Sequence, residues 1–115
     1  MADISPLGIR PPSDGSGEEH TQKSITSTNL SGGTALVPQV AGKTGIIDYL
    51  AIKTTAAETW KLSTTGGEII NDCTTVANTW EVFDTEISAD GVNLAITLTV
   101  SSGAVFVFCK YHYET

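Results

Sequence analysis

From Lys23 to the end of the chain, apolar and polar residues alternate with a period of two, the pattern of strands that turn one face to a core. The alternation is cleanest in Glu58–Ser63, where Trp60 and Leu62 share one face while Thr59, Lys61 and Ser63 take the other. Leu94, Ile96, Leu98 and Val100 repeat it, opposite Asn93, Ala95, Thr97 and Thr99. The strand-like runs are Ser24–Thr28, Thr34–Val40, Ile46–Thr54, Glu58–Ser63, Glu68–Val76, Thr79–Thr85, the stretch ending at Val100, and Ala104–Tyr113. Pro38 has no N–H to give a neighbour, which places its strand at an edge. Turn signals separate the runs at Asn29–Gly33, Ala41–Lys43, Gly66-Gly67 and Asp90-Gly91. Ser102-Gly103 is expected to close a two-residue hairpin into the last strand. No helical period and no internal repeat appear. The expected fold is all-β, a single β-sandwich or jelly roll of about eight short antiparallel strands over residues 23–115.

The last strand departs from simple alternation. Val105, Val107, Cys109, Tyr111 and Tyr113 line one face, but the other begins with Phe106 and Phe108 before changing to Lys110 and His112. A sandwich strand ordinarily keeps one wet face. Phe106 and Phe108 are therefore candidate interface residues, covered by a loop or by another subunit.

Residues 1–22 differ from the rest. Pro6, Pro11, Pro12, Gly8, Gly15 and Gly17 interrupt any helix or central strand, and Asp14, Glu18, Glu19 and His20 make the segment polar. It reads as an extended arm with Ile4, Leu7 and Ile9 as candidate anchors. Extended at ~3.3 Å per residue, such an arm reaches on the order of 70 Å, enough to cross a neighbouring subunit.

Composition agrees with strands and turns, since Thr, Ser, Ile, Val and Gly dominate. The net charge is −7, from 13 acidic and 6 basic residues. A surface of that sign repels phosphate backbones, so nucleic acid is not an expected partner. The first residues show no basic segment ahead of an apolar run, so no signal peptide is expected, and no apolar stretch approaches the ~20 residues of a membrane-spanning helix. Asn29-Leu30-Ser31 matches the glycosylation triplet, and with no secretory route expected the match is read as chance. Cys73 and Cys109 are too few for a disulfide framework and read as reduced thiols in strands.

Candidate chemistry is sparse. Asp84 and Glu86 can point together, but nothing in the sequence supplies the pocket an acid–base pair needs. Asp84, Glu86 and Asp90 lack the spacing of a calcium loop. His20 and His112 have no HxxxH or HExxH context, so neither is read as a metal ligand. No GxSxG element occurs, and Gly42-Lys43-Thr44 only imitates the tail of a phosphate loop. The expectation is a protein with no catalytic site, cofactor or metal. Trp60, alternating with Leu62, reads as core; Trp80 and Tyr49 are the aromatics that an exposed platform would use.

From Thr34 onward the chain resembles a group of small β-sandwich virion proteins of tailed bacteriophages. The resemblance lies in Thr34-Ala35-Leu36-Val37-Pro38-Gln39-Val40-Ala41-Gly42-Lys43 leading into the strand Ile46–Lys53. It continues in Ser88-Ala89-Asp90-Gly91-Val92-Asn93-Leu94-Ala95-Ile96-Thr97-Leu98 and in the turn Ser102-Gly103 before a Tyr-rich final strand. It covers roughly the last 80 residues, rests on turn placement and apolar rhythm, and does not include the arm. What it implies is a capsid decoration (cement) protein on the outer surface of the virion, a homotrimer bound to the major capsid protein. A tail or fibre module binding a receptor or glycan is the alternative. No membrane partner is expected.

Overall fold

The computed structural model describes residues 20–115. The arm anchors Ile4, Leu7 and Ile9 lie outside the described residues. Nine strands follow in order: β1 (Thr21–Ser27), β2 (Thr34–Val37), β3 (Thr44–Thr54), β4 (Thr59–Thr64), β5 (Gly67–Thr74), β6 (Glu81–Phe83), β7 (Ile87–Ser88), β8 (Ile96–Val100) and β9 (Val105–Glu114). Among the described residues there is no helix. One antiparallel sheet runs β1-β9-β3-β6, with β7 also paired to β3, and the other runs β2-β8-β4-β5. Packed together they make the expected β-sandwich.

The period-two faces meet between the sheets. Leu36, Leu62, Ile96, Leu98 and Val100 from one sheet and Ile47, Leu50, Ile52, Val105, Val107 and Cys109 from the other form a single buried cluster. Trp60 joins it at 1% exposure, as its alternation with Leu62 predicts. Its ring meets Phe83 edge-on, with centroids 5.5 Å apart. The indole Nε1 has no hydrogen-bond partner among the described residues. At Gly45 of β3 an added Cβ would stand 2.7 Å from Val37 Cγ1 of β2 in the other sheet. Any larger residue there would push β2 away from β3.

Several local expectations are corrected. Ser102-Gly103 does not close a hairpin: β8 and β9 belong to different sheets, and the turn carries the chain across the sandwich. Gly103 does take the left-handed conformation, with φ 80°. The strand around Pro38 stops at Val37, one residue before the missing N–H, and β2 is indeed an edge. The run Thr79–Thr85 shrinks to Glu81–Phe83, and a separate two-residue strand forms at Ile87–Ser88. The chain does turn at Asp90-Gly91, and just beyond it Asn93 takes the left-handed conformation, its side-chain oxygen accepting the Gly42 amide at 2.6 Å.

Hydrogen bonds fasten the ends of the sandwich. The buried Thr54 hydroxyl donates to the Ala56 carbonyl at 2.6 Å and accepts from the Thr75 hydroxyl, while Thr75 Oγ1 accepts the Glu58 amide at 2.9 Å. Thr54 ends a strand of one sheet and Thr75 follows a strand of the other, so the clasp joins the layers. At the same end, the Ser101 and Ser102 hydroxyls donate to Glu58 Oε1 at 2.7 and 2.9 Å and hold the crossover turn. The Ser101 bond first, then the Ser102 bond, keeps the Glu58 carboxyl below the ordinary glutamate range. A carboxyl depressed on folding stabilises the fold above its unfolded pKa and stops doing so as pH falls through its folded value. The stability difference between wild type and Glu58→Gln is thus expected to be full at neutral pH and to vanish in strong acid. Urea midpoints across that range check it, and a constant difference would contradict it.

Candidate functional site

The inner faces of the sheets are consumed by the core, so binding chemistry has to lie on the outer faces or rims. The outer face of the β1-β9-β3-β6 sheet is built by register. Thr26 stands beside Phe106, Ser24 beside Phe108 and Gln22 beside Lys110. On the other side of β9, Lys53 pairs with Phe106, Ala51 with Phe108 and Tyr49 with Lys110. Val82 continues the row across Ala51. Such a face is ordinarily polar. Here it is aromatic and aliphatic, with Trp80 and Val82 49% and 52% exposed.

The aromatic side chains and the lysines order each other. Tyr49 meets Phe108 in an edge contact with centroids 6.0 Å apart. Lys53 Nζ sits 5.5 Å from the Trp80 ring and 5.1 Å from the Phe106 ring. Lys110 Nζ lies 6.0 Å from the Tyr49 ring. Each such contact contributes about 0.5–1 kcal/mol at an exposed site and fixes the ammonium group in place. Between Gln22, Tyr49, Trp80, Val82, Phe108 and Lys110 lies an open groove of about 580 Å³. The paired outward positions of Gln22, Ser24, Thr26, Phe106, Phe108, Lys110, Tyr49, Ala51, Lys53 and Val82 hold two lysines and no carboxylate, while the Asp48 carboxylate borders them beside His112.

No family model matches the chain, and no curated protein matches it.

Of the residues singled out from sequence, Phe106 and Phe108 fall on this face, half-buried by their neighbours. Among the described residues, Lys53 lies against Phe106 and Tyr49 against Phe108, both from the adjacent strand. Trp80 and Tyr49 join them, whereas Lys53, Gln22 and Val82 gave no sequence signal. They become neighbours only through the pairing of β3 with β9, β9 with β1 and β6 with β3. Asp84, Glu86 and Asp90 are exposed and form no metal-ligating group among the described residues. Asp90 instead accepts the Thr64 hydroxyl at 2.7 Å and serves its turn. Among the described residues, no helix is long and apolar enough to cross a membrane.

Both cysteines are free thiols; Cys109 is buried and Cys73 half-buried. Burial pushes the Cys109 thiol up to about 11, against a smaller opposing pull from the Lys23 charge. At pH 8 roughly one Cys109 in a thousand is then thiolate, the reactive form. A thiol reagent is expected to label Cys73 alone in the native protein and both cysteines in denaturant, as mass spectrometry of the labelled chain would reveal. Rapid native labelling of Cys109 would contradict the buried placement.

Proposed function

We propose that this chain is a structural attachment protein that docks onto an acidic, apolar protein surface through the outer face of its β1-β9-β3-β6 sheet. The observation that carries this reading is the ordered set of Tyr49, Trp80, Phe106 and Phe108 with two lysines interleaved. Rigid aromatics supply most of the energy in protein interfaces. Lysines already held against rings lose little further freedom when they meet carboxylates. The resemblance of residues 34–115 gives that partner a setting: the shell of a phage head, with the chain as a decoration protein. Three copies together would bridge subunits of the major capsid protein. The segment ahead of β1, expected from its sequence to be an extended arm, would reach a neighbour, and many modest contacts repeated by symmetry would sum as avidity.

The test is reconstitution on phage heads that lack the protein. Saturable binding of the purified chain and increased resistance of the heads to heat are expected. A chain without residues 1–19, which keeps β1 whole, is expected to bind more weakly. Absence of binding, or equal occupancy by the truncated chain, contradicts the respective part of the proposal.

A second reading is favoured by the exposure of Trp80 near Tyr49, since flat aromatic platforms suit sugar rings. As a tail or fibre module the isolated chain would bind glycans, and would lose that binding in Trp80→Ala. A glycan array distinguishes it from the first.

A further inference from the structure

We propose that His20, Asp48 and His112 bind one divalent transition-metal ion of the zinc class. The three residues are widely separated in sequence. The fold brings one ligand atom from each to within 4.8 Å of the others. Both imidazoles present Nδ1 to the same carboxylate oxygen: His20 Nδ1 lies 2.8 Å and His112 Nδ1 2.9 Å from Asp48 Oδ2. Two imidazoles and a carboxylate are borderline donors, suited to zinc, cobalt, nickel or copper rather than to calcium or magnesium.

A β-bulge makes the arrangement. In the β3–β9 ladder Ile47 pairs with Tyr111 and Tyr49 with Lys110, which leaves Asp48 as the extra residue. The bulge re-aims its carboxylate toward His112, the outward residue two positions beyond Lys110. His20 precedes β1 and continues its outward row, and its ring centroid lies 4.9 Å from that of His112. The side chains of His112, Asp48 and His20 are 3%, 19% and 31% exposed. The cluster is therefore walled on one side and open to water on the other, as a three-ligand site with a solvent position requires.

The second side of His112 is an independent observation. Its Nε2 lies 2.9 Å from Glu114 Oε2. A metal-bound histidine characteristically donates its other ring N–H to a carboxylate, which fixes the ring and leaves the coordinating nitrogen with its lone pair. With the proton on Nε2, neutral His112 aims that lone pair at the Asp48 carboxylate. Two electron-rich atoms that close call for a cation, either a second ring proton or a metal ion. Ligands bound at about 2.0–2.1 Å in a tetrahedron stand ~3.3 Å apart, so the two gaps to Asp48 have to open by about half an ångström and the histidine nitrogens, within 4.8 Å of each other, have to close by up to about 1.5 Å. The side chains of His20 and Asp48, 31% and 19% exposed against 3% for His112, are the ones that move to close on the ion. A bound ion would fasten the start of β1 to the β3–β9 ladder, at the point where the N-terminal arm enters the sheet.

The experiment uses the full chain, stripped with a chelator and titrated calorimetrically with zinc and spectroscopically with cobalt. One ion per chain is expected, with visible cobalt bands of a nitrogen–oxygen site and a higher midpoint of thermal unfolding. His20→Gln and Asp48→Asn, each verified as folded by circular dichroism, are expected to lose more than about tenfold in affinity, and Glu114→Gln about tenfold or more. Cys73→Ser is expected to bind as wild type. The proposal is overturned by the lack of a one-to-one site, by equal affinity in the His20 and Asp48 variants, or by loss of binding in Cys73→Ser. Should one ligand variant fail to fold, the other decides.

Discussion

Replacing Trp60 by alanine is expected to destabilise the domain by about 3–5 kcal/mol, the range for removing a large aromatic from a core. The side chain is 1% exposed and lies in the cluster shared by both sheets. A domain of this size has a total stability of about 5–15 kcal/mol, so this one change consumes much of it. The unfolding temperature is expected to fall by roughly 4–8 °C for each kcal/mol lost. Part of the cost is already present in the wild type, because the indole N–H has no partner among the described residues. Trp60→Phe removes that orphan donor and keeps a ring against Phe83, so its loss is expected to be clearly smaller. Urea denaturation of both variants measures the difference. A loss below about 1 kcal/mol in the alanine variant would mean that the core closes without Trp60.

Trp80→Ala is expected to do the reverse, leaving stability nearly intact while removing attachment. Trp80 is half-exposed and lies outside the core cluster, so its truncation should cost the fold about 1 kcal/mol or less, chiefly the contact with Lys53. At an interface, loss of a tryptophan anchor typically costs at least ~2 kcal/mol, a fall in affinity of roughly thirtyfold or more. The pairing of the two variants matters: Trp60 carries the fold, and under the proposed function Trp80 carries the attachment surface. Titration of Trp80→Ala onto the partner surface, beside its urea midpoint, checks both halves. Equal affinity, or a collapse of stability, would count against this division.

How far these roles were legible in the sequence differs from one residue to the next. Trp60, Leu62, Ile96, Leu98 and Val100 announce their burial, because a strand repeats every two residues and needs no partner to do so. Phe106 and Phe108 announce a face that is not ordinary water-exposed surface. The division into two sheets was not legible. Ser102-Gly103 has the chemistry of a hairpin turn, yet β9 pairs with β3 and β1, strands far away in sequence. Long-range pairing leaves no mark in local alternation. The same limit hid Lys53, which meets Trp80 and Phe106 only after β3 and β9 align. Asp48 was hidden more deeply, since a one-residue bulge changes the side a residue faces without changing any propensity. The approach of His20 and His112 depends on that bulge and on the β1–β9 register together. The left-handed Asn93 was not singled out either, since the Gly42 amide that its side-chain oxygen accepts lies far away in sequence.

The proposed attachment surface is the outer face of the β1-β9-β3-β6 sheet. A reconstruction by electron cryomicroscopy of phage heads bearing the bound chain tests it directly. Tyr49, Trp80, Phe106 and Phe108 are expected to lie buried against the shell, with Lys53 and Lys110 near shell carboxylates. A bound chain that turns this face to solvent, and contacts the shell through the β2-β8-β4-β5 sheet instead, would contradict it.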